Sequence, residues 1–172
     1  MNWTKNLLLV LFLSISATTS YCQSNITANI SQDGLSNFKI TKSSFFIYLS
    51  PSGQIISYSA NGNGGITYDF KGRVDKIGTT SITYDFKGRI DGLGNASITF
   101  DFKGRVDKIG STAITYDFQD RIDNINNLTV SYDFKGRLDK IGNSTIVYDF
   151  KGRIDNIEDA DGIFVFRPKI KD

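Results

Sequence analysis

A sixteen-residue period governs this chain. Residues 66–81, ITYDFKGRVDKIGTTS, recur with their first residue at Ile66, Ile82, Ile98, Ile114, Val130 and Ile146, so six units fill residues 66–161 of the 172. A unit that short cannot enclose a core of its own. It is one supersecondary element, and the fold must come from setting such elements side by side.

Comparing the units with one another separates fixed positions from free ones. Asp69, Asp85, Asp101, Asp117, Asp133 and Asp149 form one invariant column, and Phe70, Phe86, Phe102, Phe118, Phe134 and Phe150 form the next. A Lys column broken only by Gln119 follows. Then comes Gly (Gly72, Gly88, Gly104, Gly136, Gly152, with Asp120 the exception), and the column from Arg73 to Arg153 closes the motif. Asp first and Gly fourth between two β-rich runs predicts a type I turn whose last residue has positive φ, a three-residue hairpin loop with a G1 bulge. Asp120 can adopt that conformation at some cost.

The arms read as strands, Ile-Thr-Tyr before the turn and Val-Asp-Lys-Ile after it. Pairing Asp69 with Arg73 sets Tyr68 opposite Val74 and Thr67 opposite Asp75. Ile66, Tyr68 and Val74 then share one face, and Thr67, Asp69, Arg73 and Asp75 the other. Ile77 and its equivalents disobey this alternation. Either the second turn carries a bulge that re-aims them, or the first loop is a two-residue Lys-Gly turn and the register slips by one. The second turn, Gly78-Thr79 and its equivalents Gly94-Asn95, Gly110-Ser111, Asn126-Asn127 and Gly142-Asn143, has residue types suited to the primed hairpin turns. The Asp and Arg columns are expected to form a solvated ladder of cross-strand pairs, each worth about 0.2–1 kcal/mol.

The motif Tyr84-Asp85-Phe86-Lys87-Gly88-Arg89-Ile90 resembles the YD-peptide repeats of the RHS and teneurin type, in a small exported form of the kind found in the Bacteroidetes. The resemblance covers the six units. It implies β-hairpins strung into a curved antiparallel sheet. The period here is shorter and stricter than in that family, and no toxin or autoprotease segment is attached.

Residues 1–22 have the anatomy of a secretory signal peptide: Lys5, an apolar run too short to span a bilayer, then small and polar residues. Cleavage between Cys22 and Gln23 would remove the only cysteine. Lipidation of Cys22 is the alternative, opposed by the bulky Tyr21. The expected destination is secreted, periplasmic or cell-surface, with no transmembrane anchor after cleavage. Residues 23–44 form a polar segment with a strand near Phe38. Residues 45–65 contain the unit in degenerate form, with Gly53 in the place of Gly72, and read as an N-terminal capping repeat with a Gly/Asn loop. Residues 162–172 supply an apolar closing strand and a basic tail.

Function classes narrow by exclusion. The chain has no histidine, which removes the commonest general base and metal ligand. The Asp pairs repeat identically in every unit, whereas a catalytic pair needs surroundings unlike the others. No catalytic, cofactor or metal site is therefore expected, and the acidic run from Glu158 to Asp161 reads as a plain turn. With 20 Lys and Arg interleaved among 18 Asp and Glu, the basic patch of a nucleic-acid binder is missing.

The expected fold is all-β: an antiparallel meander of 16-residue hairpin repeats, about fourteen strands, with no helix apart from the signal peptide. Its apolar face must be covered by curling into a roll or barrel, by stacking as a twisted sheet on a second sheet of the same chain, or by self-association through the sheet face or its edges. A parallel β-helix is the disfavoured alternative. The expected function is that of an exported structural or scaffold protein of the envelope or surface, not an enzyme. The alternative is an adhesin-like module that binds an envelope protein or glycan through Phe70, Phe86, Phe102, Phe118, Phe134 and Phe150. Those rings are expected to fold back onto the Tyr84 and Ile90 face as core; left exposed, they would be a binding row.

Overall fold

The computed structural model describes residues 25–61 and 63–168; the expected signal peptide and the end of the basic tail lie outside the described residues. The described chain is all-β, with seventeen strands and no helix. Twelve of them form one antiparallel meander in strict sequence order. Its hairpins are β5–β6 (Ile66–Tyr68, Val74–Ile77), β7–β8 (Thr80–Tyr84, Ile90–Leu93), β9–β10 (Ala96–Phe100, Val106–Ile109), β11–β12 (Thr112–Tyr116, Ile122–Ile125), β13–β14 (Leu128–Tyr132, Leu138–Ile141) and β15–β16 (Ser144–Tyr148, Ile154–Glu158). The other five, β1 (Ile26–Ser31), β2 (Gly34–Thr41), β3 (Phe45–Leu49), β4 (Ile55–Ala60) and β17 (Phe164–Phe166), form a second sheet in the order β17-β1-β2-β3-β4, in which β17 runs parallel to β1.

Of the three ways to cover the apolar face, the chain uses a second sheet of its own, not a barrel. Ile26, Ile30, Phe38, Ile40, Phe45, Ile47 and Leu49 of the small sheet share one buried cluster with Ile82, Ile98, Ile109, Ile114, Ile125, Val130, Ile141 and Ile146 of the meander. The small sheet also satisfies meander backbone. The Val106 N–H donates to the Gly53 carbonyl (3.0 Å) and the Ile122 N–H to the Pro51 carbonyl (2.8 Å), as buried amides require a partner.

The first turn folds as its residues dictate. The Gly72 N–H donates to the Asp69 carbonyl (2.9 Å), the Asp69 N–H to the Arg73 carbonyl (2.8 Å), and Gly72 has φ 76°. The expected register holds only as far as Tyr68 opposite Val74. Thr67 then faces Lys76, not Asp75, and Ile66 faces Ile77. Asp75 is thus the extra residue of a β-bulge inside β6, and the same bulge falls at Asp91, Asp107, Asp123, Asp139 and Asp155. This corrects both explanations of the misplaced aliphatic. The bulge lies in the strand, two residues before the aliphatic, and its added residue returns Ile109 and its equivalents to the core face. At the second turn Gly78 has φ 56° and Thr79 has no positive φ, the type II′ pattern. Asn126 takes Gly's place at φ 54°, anchored by the Ala113 N–H, which donates to its side chain (2.9 Å).

The degenerate unit is real but lies elsewhere. β3 and β4 pair with the same bulge, at Ile56, and close through the same turn, Gly53 having φ 77°. This hairpin belongs to the covering sheet and is not hydrogen-bonded to β5. It is therefore not a cap on the array. Hydrophobic residues account for the difference: Phe45, Ile47 and Leu49 are buried, so β3 is itself core. Strand β17 likewise closes the covering sheet, its approach fixed by Asp159, whose carboxylate accepts from the Ile163 N–H (2.7 Å) and Phe164 N–H (3.1 Å).

Candidate functional site: the turn rim

Each first turn has two levels, a braced base and an exposed tip. At the base, Asp69 Oδ1 accepts from the backbone N–H groups of Lys71 (2.8 Å) and Arg73 (2.9 Å), while Oδ2 accepts from Arg73 Nε (2.8 Å) and Nη2 (2.6 Å). One carboxylate thereby orders the loop and fixes a guanidinium by a two-nitrogen grip. That guanidinium does not project freely into solvent. Arg73 stacks on Tyr84 of the next unit with its Cζ 4.0 Å from the ring centroid, and the joint repeats at Arg89–Phe100, Arg105–Tyr116, Arg121–Tyr132 and Arg137–Tyr148, at 3.8–4.0 Å. The Tyr84, Tyr132 and Tyr148 hydroxyls donate back to the Val74 (2.7 Å), Ile122 (2.8 Å) and Leu138 (2.7 Å) carbonyls, and Tyr116 does the same to Val106. The expected solvated ladder is corrected accordingly. Asp and Arg pair within one turn, half-buried, and the pair clamps unit to unit.

The exception at Asp120 is part of the clamp. Its carboxylate accepts from Arg105 Nη1 (2.7 Å) and Lys103 Nζ (2.5 Å), offsetting the cost of φ 63°. Arg137 Nη1 is buried with no hydrogen-bond partner, and it lies 3.2 Å from where a Cβ on Gly152 would sit. Gly152→Asp, repeating Asp120, should therefore melt within about 1 kcal/mol of the parent protein. Gly152→Ala, strained at φ 83° with no new bond, should cost about 1–3 kcal/mol. Equal melting temperatures for the two variants would contradict this account.

The clamp sets the pH range of stability. Partial burial works against the charge of Asp69, Asp85, Asp101, Asp117 and Asp133, but the partner arginine's N–H and guanidinium outweigh it and hold each carboxyl below its ordinary value. Their stabilisation is complete above the ordinary carboxylate value of about 4 and is lost as pH falls through the lowered folded values. Burial, reinforced by the Tyr58 hydroxyl, pushes Tyr84 up to about 12. That contribution is complete below the ordinary tyrosine value of about 10 and is lost as pH rises through about 12. With no histidine to titrate between, thermal melts should show a plateau from about pH 5 to about pH 9. A fall of several degrees between pH 7 and pH 5 would contradict it.

At the tip stand Phe70, Phe86, Phe102, Phe118, Phe134 and Phe150, 89–94 % exposed. The expectation that these rings fold back as core is overturned. The loop closes between Asp69 and Arg73, one step past the last strand pair of Tyr68 and Val74, so the second turn position projects beyond the sheet. Hairpins two strands apart place successive tips about 9.6 Å from one another. A lysine accompanies most rings, with Nζ 5.5–5.9 Å from the centroid at Phe70, Phe86, Phe102, Phe134 and Phe150. Because the turn Asp is occupied by Arg, each such tip presents an apolar ring beside a lysine that the turn Asp does not neutralise; at Phe102 that lysine, Lys103, is paired with Asp120 instead.

One feature escaped the sequence reading. Phe100 interrupts the tyrosine column, so no tyrosine hydroxyl reaches the Ile90 carbonyl. Beside it lies a groove of about 490 Å³ lined by Tyr58, Tyr84, Arg89, Ile90 and Phe100. The signal was TFDF where other units have TYDF or SYDF or VYDF. Among the described residues no cluster of His, Cys, Asp and Glu could hold a metal ion, and no helix is long and apolar enough to cross a membrane. The chain matches no family model and no curated protein.

Proposed function

We propose that this is an exported structural protein of the cell envelope or surface that works by docking and not by catalysis, with the phenylalanine rim as its docking surface. The observation that carries the reading is the exposure of all six rings at 89–94 %. A soluble chain rarely displays so much aromatic surface in one array unless something covers it. The occupant is an envelope glycan or protein. Repetition supports this class over an enzyme: each turn Asp makes the same contacts to its own arginine, leaving no carboxylate singled out for chemistry. The resemblance to YD-peptide repeats supports a passive, architectural role as well.

Serine at Phe86, Phe102, Phe118 and Phe134, singly and together, is the test. Each single change should leave stability within about 0.5 kcal/mol, as for surface positions, while the quadruple variant should lose co-sedimentation with isolated envelopes. A melting temperature lowered by several degrees per ring would place the rings in the core, and undiminished sedimentation would remove the rim as the docking surface.

A further inference from the structure

The repeat array ends without caps, and its two ends are complementary halves of the joint that holds its units together. Repeat arrays ordinarily need polar caps at their termini, yet the hairpin expected to cap this one lies in the covering sheet. At the first unit, Tyr68 is 61 % exposed, with no preceding arginine over its ring. The flank of Gly72 is also empty: a Cβ there meets nothing within 4 Å, whereas at Gly88, Gly104, Gly136 and Gly152 it meets the preceding arginine's Nη1 at 3.2–3.7 Å. Ile66 is 53 % exposed, while Ile82, Ile98 and Ile114 are buried. At the last unit, the Arg153 side chain is 68 % exposed, against 12 % for Arg105, although Asp149 grips it in the same way. No ring follows to lie on it.

We propose that a second copy of this chain completes the joint, the β16 edge of one molecule pairing with the β5 edge of the next, with Arg153 stacked on the neighbour's Tyr68. One end offers an exposed guanidinium and the other an exposed ring beside an empty flank. An internal joint requires little more than this: between β14 and β15 it consists of two strand pairs, Lys140 opposite Thr145 and Ile141 opposite Ser144, together with the stack and the tyrosine hydroxyl bond. Carrying that register across the ends sets Asn156 opposite Gly65 and Ile157 opposite Gly64. Two glycines at the receiving edge present no side chain to obstruct the approach. The contact is heterologous, since different surfaces meet, so it propagates into a filament unless its rotation closes a ring. It does not involve the phenylalanine tips and stands or falls apart from the docking reading.

Cysteine trapping tests it in the full chain carrying Cys22→Ser, which leaves no native thiol whether or not residues 1–22 are removed. Lys140 and Thr145 are one step from the closing pair of a two-residue loop, a non-hydrogen-bonded pair whose close Cα atoms suit a disulfide. Their counterparts at the ends are Asn156, which is exposed, and Gly65, where an added side chain meets nothing within 4 Å. Under mild oxidation a chain carrying both Gly65→Cys and Asn156→Cys should give a ladder of dimers, trimers and larger species. A mixture of the two single variants should give mainly the mixed dimer. Adding Tyr68→Ser or Arg153→Ser should cut the ladder several-fold with no change in melting temperature. Monomer only, homodimers of either single variant in excess of the mixed dimer, or a ladder indifferent to Tyr68→Ser and Arg153→Ser would each overturn the proposal.

Discussion

A chain reduced to residues 63–161, the six repeats alone, should not fold as a monomer. In an ordinary solenoid each unit is stabilised by its neighbours and the array is self-sufficient. Here the inward residues Ile82, Leu93, Ile98, Val106, Ile109, Ile114, Ile122, Ile125, Val130, Leu138, Ile141 and Ile146 are buried in a cluster that includes the covering sheet. Burying each is worth about 1.5–3 kcal/mol. Exposing much of that surface exceeds the roughly 5–15 kcal/mol by which a domain is stable. The Val106 and Ile122 N–H groups would also lose the Gly53 and Pro51 carbonyls. Circular dichroism and size-exclusion chromatography should report an unfolded or aggregated species, and a monomer with a cooperative melt near that of the full chain would sink the idea. By the same reasoning, deleting residues 97–112 should cost more than one unit's share. The covering sheet has a fixed length, and the deletion removes the Val106 N–H from its contact with Gly53.

Asp101→Ala should lower stability by about 2–3 kcal/mol, because it removes one partner of a mostly buried, bidentate ion pair. For a chain of this size that is roughly 5–10 °C in melting temperature. The magnitude distinguishes the clamp from an exposed surface pair, worth about 0.2–1 kcal/mol. At this joint the Arg105 and Asp101 side chains are only 12 % and 15 % exposed, and Arg105 stacks on Tyr116. Losing the carboxylate removes the two-nitrogen grip on the guanidinium, leaving it only the Asp120 contact at Nη1, and leaves the loop N–H groups unpaired. Arg105→Lys should be nearly as damaging, since an ammonium can neither grip with two nitrogens nor stack as a plane. Asp149→Ala, in the terminal turn whose Arg153 has no ring to lie on, should have a much smaller effect. Equal losses for Asp101→Ala and Asp149→Ala would mean that the stacked joint adds nothing.

The primary structure by itself determined the hairpins. Asp and Gly at fixed positions admit few turns, and Gly72 needs its positive φ whatever surrounds it, so both loops were legible, the first as a three-residue form with a two-residue turn left open beside it. So was the exception at Asp120, though not the reason it is tolerated. The features that depend on residues distant in the chain were not legible. The bulge at Asp75 and its equivalents was detectable only as a misplaced aliphatic, because a one-residue slip can be absorbed at several points along a hairpin and packing chooses among them. The phenylalanine column was expected inside because Phe is apolar. It is outside because it sits at the tip of the three-residue loop, beyond the last strand pair, where no other strand covers it. The degenerate hairpin at residues 45–60 has the repeat's turn and bulge, and its more apolar strand Phe45–Leu49 marks it as core without saying which sheet it joins. Its place in the covering sheet was decided by the tertiary structure, since two apolar sheets exclude water by facing one another, and burial is a property of the pair of surfaces and of neither strand alone.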